Sequence, residues 1–286
     1  MICLLLAILS SASIALILKL SENRNLNRYA VTSSNYVAAF TISIIFSIQS
    51  SSVSFEPGPS LNSALVIGLF GGVLYFLGFI FIQKSIRVNG VGITGAVAKT
   101  GIILPVILSM ILWKEIPNIL QSVGVILSLA AIVMINISPR ELDRVKGVNK
   151  TIILLFLIVG FAEFSNKLFE IYGGSDYKAV FLFVVFFTAF WVSMIFTLRG
   201  IRKGQKVTKT DIITGILVGI PNMFASYFLI ESFNYYKASV VFPTVSSGTI
   251  VMINLGGYFI FGERLKRKEI FAVAMIIVAI VLMNLK

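Results

Sequence analysis

The sequence predicts an all-α integral membrane protein of ten transmembrane helices, built as two inverted five-helix repeats. Three observations predict it: a composition suited to lipid, a succession of apolar runs of membrane-crossing length, and a pattern that recurs at half length. Of the 286 residues, 57% are hydrophobic and 13% are charged, and the mean hydropathy is +0.96. A soluble domain carries about a quarter charged residues. Here the charges gather in short segments between apolar runs of the ~20 residues that cross a hydrocarbon core of ~30 Å. Such spans are helices, because in lipid every backbone N–H and C=O must be satisfied within its own segment.

In order, the runs cover about 2–18, 30–49, 61–83, 91–112, 118–137, 151–171, 179–198, 211–233, 239–261 and 269–285. The connections carry turn and charge signals, among them "KLSENRNLNR", "SFEPGPS", "RVNG", "SPRELDRVKGVNK", "RGIRKGQKVTK" and "GERLKRKE". The first run contains small residues, "SSASIA", of the kind seen at signal cleavage sites. It lacks a preceding basic residue and has an internal counterpart in the sixth run, so it is expected to stay in the mature protein. The division is then a first repeat over 1–138, a linker loop over 139–150 and a second repeat over 151–286.

The repeat is read from polar and glycine positions, since aliphatic matches between apolar runs arise easily by chance. At an offset of 148, "KLSE" from Lys19 to Glu22 falls on "KLFE" from Lys167 to Glu170, and Tyr29 falls on Tyr177. At the same offset Glu115 meets Glu263 and Asn136 meets Asn284. In the third and eighth runs the offset slips to 147, where Gly68, Gly72 and Phe81 meet Gly215, Gly219 and Phe228. An odd number of spans per repeat sends the two halves through the membrane in opposite senses. Inverted repeats of this kind are a common plan of secondary transporters, with the site near the midplane.

The net charge is +12, from 24 basic and 12 acidic residues. Basic patches attract nucleic acid, but here the charge lies in membrane-flanking loops, and no nucleic-acid partner is expected. Loops 1–2, 3–4, 5–6, 7–8 and 9–10 hold 18 Lys and Arg, against five on the other side: Lys114, Lys167, Lys178, Lys237 and Lys286. The positive-inside rule places the first group in the cytoplasm and both termini outside. The sequence has no histidine and one cysteine, Cys3. That removes the commonest metal ligand and general base and any disulfide within the chain.

The endings "WKEIPNILQSVGVILSLAAIVMIN" and "GERLKRKEIFAVAMIIVAIVLMN", a glutamate after the fourth helix followed by an apolar fifth, resemble the drug/metabolite transporter superfamily in its ten-helix EamA-like branch. "ILKLSEN" after the first run is similar to the small multidrug resistance transporters, which each repeat resembles. The resemblance implies a central cavity lined by helices 1, 3, 4, 6, 8 and 9, and both termini in the cytoplasm, against the charge count. This sequence departs from the pattern in two places. Ser11 and Ala15 stand near where small multidrug resistance transporters keep an acidic residue, and Asn35 stands where many EamA-like proteins have an arginine.

Two ionisable residues lie deep in apolar runs, Lys99 and Glu163. A charge at the bilayer centre costs roughly 2.5–3.5 kcal/mol on insertion scales, so such residues face a cavity or a partner. At 1.5 Å per residue they sit ~12 Å and ~18 Å from the loop 3–4 side, close enough in depth to share a ligand or to pair. Either they contact substrate, with Glu163 as a proton-coupling carboxylate, or they form an ion pair that only stabilises packing. Asn166, Lys167 and Glu170 extend a polar face from Glu163, although the last two can also be read as snorkelling side chains. Thr244 and Ser247, around Pro243, and Asn222, beside Pro221, are polar candidates near backbone carbonyls freed by proline. Small hydroxyl residues equally serve close helix packing. Tyr75, aligned with Asn222, is a further cavity candidate, while the recurring Glu115 and Glu263 read as structural, organising the turn into the next helix.

The function expected is a secondary transporter that moves a small metabolite or drug-like solute across the plasma membrane, the inner membrane of a bacterium. Its expected partners are the bilayer, a small-molecule substrate and a coupling proton. No cofactor or metal is expected, and the expected state is a monomer. The alternatives are a non-transporting membrane subunit or a membrane-embedded enzyme, the latter left without plausible metal ligands.

Overall fold

In the structure, a computed structural model, residues 1–21, 26–49, 58–137 and 149–285 are described. Glu22, Lys286 and nearly all of the 139–150 linker lie outside the described residues. The helices are α1 (Ile2–Leu20), α2 (Arg28–Gln49), α3 (Pro59–Asn89), α4 (Val91–Thr100), α5 (Ile103–Trp113), α6 (Ile119–Asn136), α7 (Lys150–Tyr172), α8 (Lys178–Arg202), α9 (Lys209–Ser232), α10 (Ala238–Phe261) and α11 (Arg267–Asn284). Helices α4 and α5 are two halves of one span, so there are ten crossings. Among the described residues nine stretches are long and apolar enough to cross a membrane by themselves. The tenth, α11, has 18 residues and opens with Arg267, Lys268 and Glu269, which leaves it the shortest apolar run.

The fourth span breaks at Gly101 and Ile102. Pro105 has no N–H to offer the carbonyl of Gly101, which takes the N–H of Leu104 at 3.1 Å instead. α7 crosses at the break, with the backbone of Gly160 beside Gly101. Pro221 and Pro243 lie inside helices that continue through them.

Packing between the halves obeys a pseudo-two-fold exchange. α1 packs on α9 and α10, and its counterpart α7 packs on α3 and on the fourth span. α2 packs on α8 and α9, while α8 packs on α2 and α3; α6 packs on α11. The glycine pairs explain the closeness of these crossings. Gly215 and Gly219 press on α2 at Val31, Ser34, Asn35 and Ala38, and Gly68 and Gly72 press on α8 at Phe181, Val184, Val185 and Thr188. A Cβ at any of the four positions would strike the facing helix, so small residues set the helix separation here.

These contacts also correct the register. Gly68 and Gly215 are equivalent at 147, yet their targets Phe181 and Val31 differ by 150. α2 and α8 likewise start at 28 and 178. Tyr29 is therefore not the counterpart of Tyr177, because the second half holds two extra residues between its first and second spans. Helix packing, not tyrosine identity, defines the alignment there.

The repeated endings share one local design. Lys114 and Gly262 adopt the left-handed conformation, at φ 55° and 67°. The following Glu115 and Glu263 then donate their N–H groups to Ser109 O at 3.4 Å and Gly257 O at 3.1 Å. A left-handed residue whose successor folds its N–H back onto the last turn thus ends both helices. Three residues on, α6 and α11 start with matching caps: Gln121 accepts from the N–H of Asn118, and Glu269 from that of Lys266.

Candidate functional site

A cavity of about 830 Å³ enters the bundle from one face. Its wall comes from the end of α1 (Leu18, Lys19), the start of α2 (Arg28 to Tyr36), the second half of α3 (Leu74 to Ile86) and the middles of α7 and α9. The ends of α1 and α3 and the start of α2 all lie on the side of loops 1–2 and 3–4, so that side holds the mouth. Tyr75, Glu163 and Asn222 lie at the deep end. The fourth and ninth spans, which the resemblance places in the wall, contribute no lining residue among those described. α2 takes their place.

The deep end is organised by amides. Asn222 Nδ2 donates to Asn35 Oδ1 at 3.1 Å, joining α9 to α2 across the halves. Asn166 is fully buried one layer behind the wall. Its Nδ2 donates to the Tyr75 hydroxyl at 3.2 Å and to Glu163 Oε2 at 3.4 Å. Its Oδ1 is buried without a partner. Lys99 is the cation acting on Glu163, but the two form no direct ion pair and Lys99 does not line the cavity. Thr244 and Ser247 are buried in α10, the most buried span among the described residues. Ser247 Oγ donates to Pro243 O at 2.6 Å, and the Thr244 hydroxyl faces Met283 Sδ at 3.9 Å. Of the residues named from sequence, the structure thus brings together Tyr75, Glu163, Asn166 and Asn222, with Lys99 nearby, and sets Thr244 and Ser247 in packing.

Cavity-wall residues that sequence reasoning passed over are Thr32, Tyr36 and Arg28, with Asn35 noticed only as a departure from a family pattern. Their signal was polarity within an apolar run, "RYAVTSSNY", on the second helix.

The opposite end is shut. Lys167, 2% exposed, does not snorkel. Its Nζ lies 2.7 Å from Glu115 Oε1 and 2.5 Å from Glu170 Oε2, over the rings of Trp113 and Phe233. Glu115 Oε2 also accepts the N–H of Ala238 at 2.7 Å, and Lys237 Nζ donates to Ile116 O at 2.9 Å. Lys178 pairs with Glu231 beside the ring of Tyr227, and Phe169 stacks on Phe181 at 4.3 Å. At the mouth, Glu263 pairs with Lys19, and both are substantially exposed. Glu115 and Glu263 therefore join the two halves as well as following the helix stops.

A family model described as "EamA-like transporter family" matches the chain twice, over residues 1–137 and 150–285. An uncharacterized protein of Haemophilus influenzae is 22% identical over 269 residues, covering 92% of this chain and 91% of that one. A solved crystal structure of a protein with 16% sequence identity superposes with a TM-score of 0.72, over 99% of this chain and 95% of the other. That likeness concerns the fold.

Proposed function

The chain belongs to the EamA-like transporter family, and from that premise we propose that it carries a small organic solute across the plasma membrane by alternating access. The observation that carries the reading is the cavity. It is open at one face, shut at the other by buried ion pairs, and holds a carboxylate, two amides and two tyrosines at its deep end. Its 830 Å³ falls within the ~300–1,000 Å³ of small-molecule sites. A dead-end pocket reaching the middle of an inverted repeat is half of a transport cycle.

Glu163 is the one carboxylate among the described lining residues, and it serves as the proton-coupling group. Glu163→Gln keeps the shape of the site and removes the titration. The expected result is loss of pH-driven flux in proteoliposomes with insertion and unfolding temperature retained; pH-driven flux that persists in this variant removes Glu163 from the mechanism. A ligand-stabilisation screen over amino acids, amines, nucleosides and sugars identifies the solute to load. Solutes that stabilise the protein but never cross the membrane would overturn the transport reading.

The 18 basic residues on the mouth side favour a cytoplasmic mouth and external termini. A carboxy-terminal alkaline phosphatase fusion is then active. An inactive phosphatase would place both termini in the cytoplasm, as the resemblance implies, and turn the mouth outward.

A further inference from the structure

We infer that Lys167–Glu115 and Lys19–Glu263 are two equivalent latches at opposite membrane faces, both paired in this state and each buried in turn as its own face shuts. We infer further that the opposite state has a cavity between Lys167 and Lys178 with Asn166 in its wall. The inference rests on the alternating-access reading above.

The four residues are equivalent in pairs: Lys19 with Lys167, and Glu115 with Glu263, at the one offset of 148. Each glutamate follows the same left-handed helix stop, and each latch ties a lysine of one half to a glutamate of the other. Their environments differ. At the shut face Lys167 is 2% and Glu115 18% exposed, while at the mouth Lys19 is 32% and Glu263 52% exposed. Glu115 also holds the N–H of Ala238, the first residue of the ninth span. The counterpart of Ala238 is Gly90, at the entry to the fourth span, and Glu263 has no bond to it. Closing the mouth by repeat exchange brings the N–H of Gly90 to Glu263 and buries Lys19, as opening the other face releases Ala238 and Lys167.

An independent observation names the wall of the opposite cavity. Asn166 is the counterpart of Leu18, which lines the present cavity. Asn166 is now fully buried, and its Oδ1 has no partner. A buried amide oxygen left unpaired is costly, and the cost is relieved when the oxygen meets water or substrate. By the same exchange Arg28 at the present mouth corresponds to Lys178, so a lysine flanks the new opening. Tyr75 and Asn222, equivalent to each other, stay in the wall in both states.

The test uses single-cysteine reporters in a Cys3→Ser background, labelled in sealed vesicles of each orientation with a membrane-impermeant maleimide. Thr32→Cys reports the present cavity and Asn166→Cys the opposite one. Glu115→Gln is expected to speed Asn166→Cys labelling about tenfold or more, because it breaks a buried pair, and to slow Thr32→Cys labelling. Glu263→Gln and Lys19→Gln are expected to act in the opposite sense, by about two- to fivefold, as exposed pairs do. Should Glu115→Gln fail to insert, these two exposed variants carry the test alone. Unchanged labelling, or both glutamate variants moving the reporters in the same direction, overturns the latches while leaving alternating access intact. If Asn166→Cys never reacts from the face opposite Thr32→Cys, with latches intact or broken, alternating access fails and the latches fail with it.

Discussion

The two ends of the molecule come from the same repeated segments, yet they are chemically different. At the shut end Lys167–Glu115 is buried and Lys178–Glu231 stands beside it. At the mouth Lys19–Glu263 is exposed, and the counterparts of Lys178 and Glu231 are Arg28 and Lys84, both cations. The shared backbone gives the two ends similar geometry, and the side chains make them differ. At the shut face opposite charges meet in a low-dielectric setting, whereas at the mouth the pair is exposed and the added charges are cations, all screened by water.

Single substitutions break this comparison to different degrees. Lys167→Met leaves Glu115 and Glu170 without their cation and is expected to cost about 3–5 kcal/mol. Lys19→Met, at the exposed latch, costs less than ~1 kcal/mol. Unfolding in detergent measures both, and equal losses would mean that the two ends are not distinguished by burial. Gly219→Ala and Gly72→Ala, which push matching helices apart in the two halves, should each cost about 1–3 kcal/mol; a large difference between them would confine the symmetry to the backbone trace. Lys84→Glu gives Arg28 the partner that Lys178 already has, and should slow labelling of a Thr32→Cys reporter by up to about fivefold. The helix stops respond in opposite senses. Lys114→Gly relieves a left-handed lysine, worth roughly 1–2 kcal/mol, less the entropy cost of glycine, and should stabilise by about 1 kcal/mol or less, whereas Gly262→Ala should destabilise by about 1–2 kcal/mol.

The polar residues of the site were partly legible because charge and amide groups stand out in apolar runs. Glu163, Asn166 and Asn222 announce themselves that way, and Tyr75 by its alignment with Asn222. Thr244 and Ser247 looked similar, but α10 is the most buried span, and their hydroxyls turn to Pro243 O and Met283 Sδ. Whether a small hydroxyl faces a cavity or its own helix depends on neighbours that periodicity does not identify. The mispairing of Tyr29 with Tyr177 has a related cause. Two extra residues change the register without altering helical pattern, so only the facing glycines reveal them.

By itself the sequence determined that the chain crosses the membrane ten times, that it is duplicated, and that the duplication is inverted. Those properties follow from span length, backbone hydrogen bonding in lipid and an odd number of crossings, all of which are local or countable. The tertiary structure alone decided which face is shut, that among the described residues α2 rather than the fourth and ninth spans lines the cavity, and that Lys167 meets Glu115 across 51 intervening positions. Each of those depends on the packing of helices distant in the chain. In a bilayer, where apolar surface favours no particular neighbour, that choice falls to glycines, amides and ion pairs at the contacts.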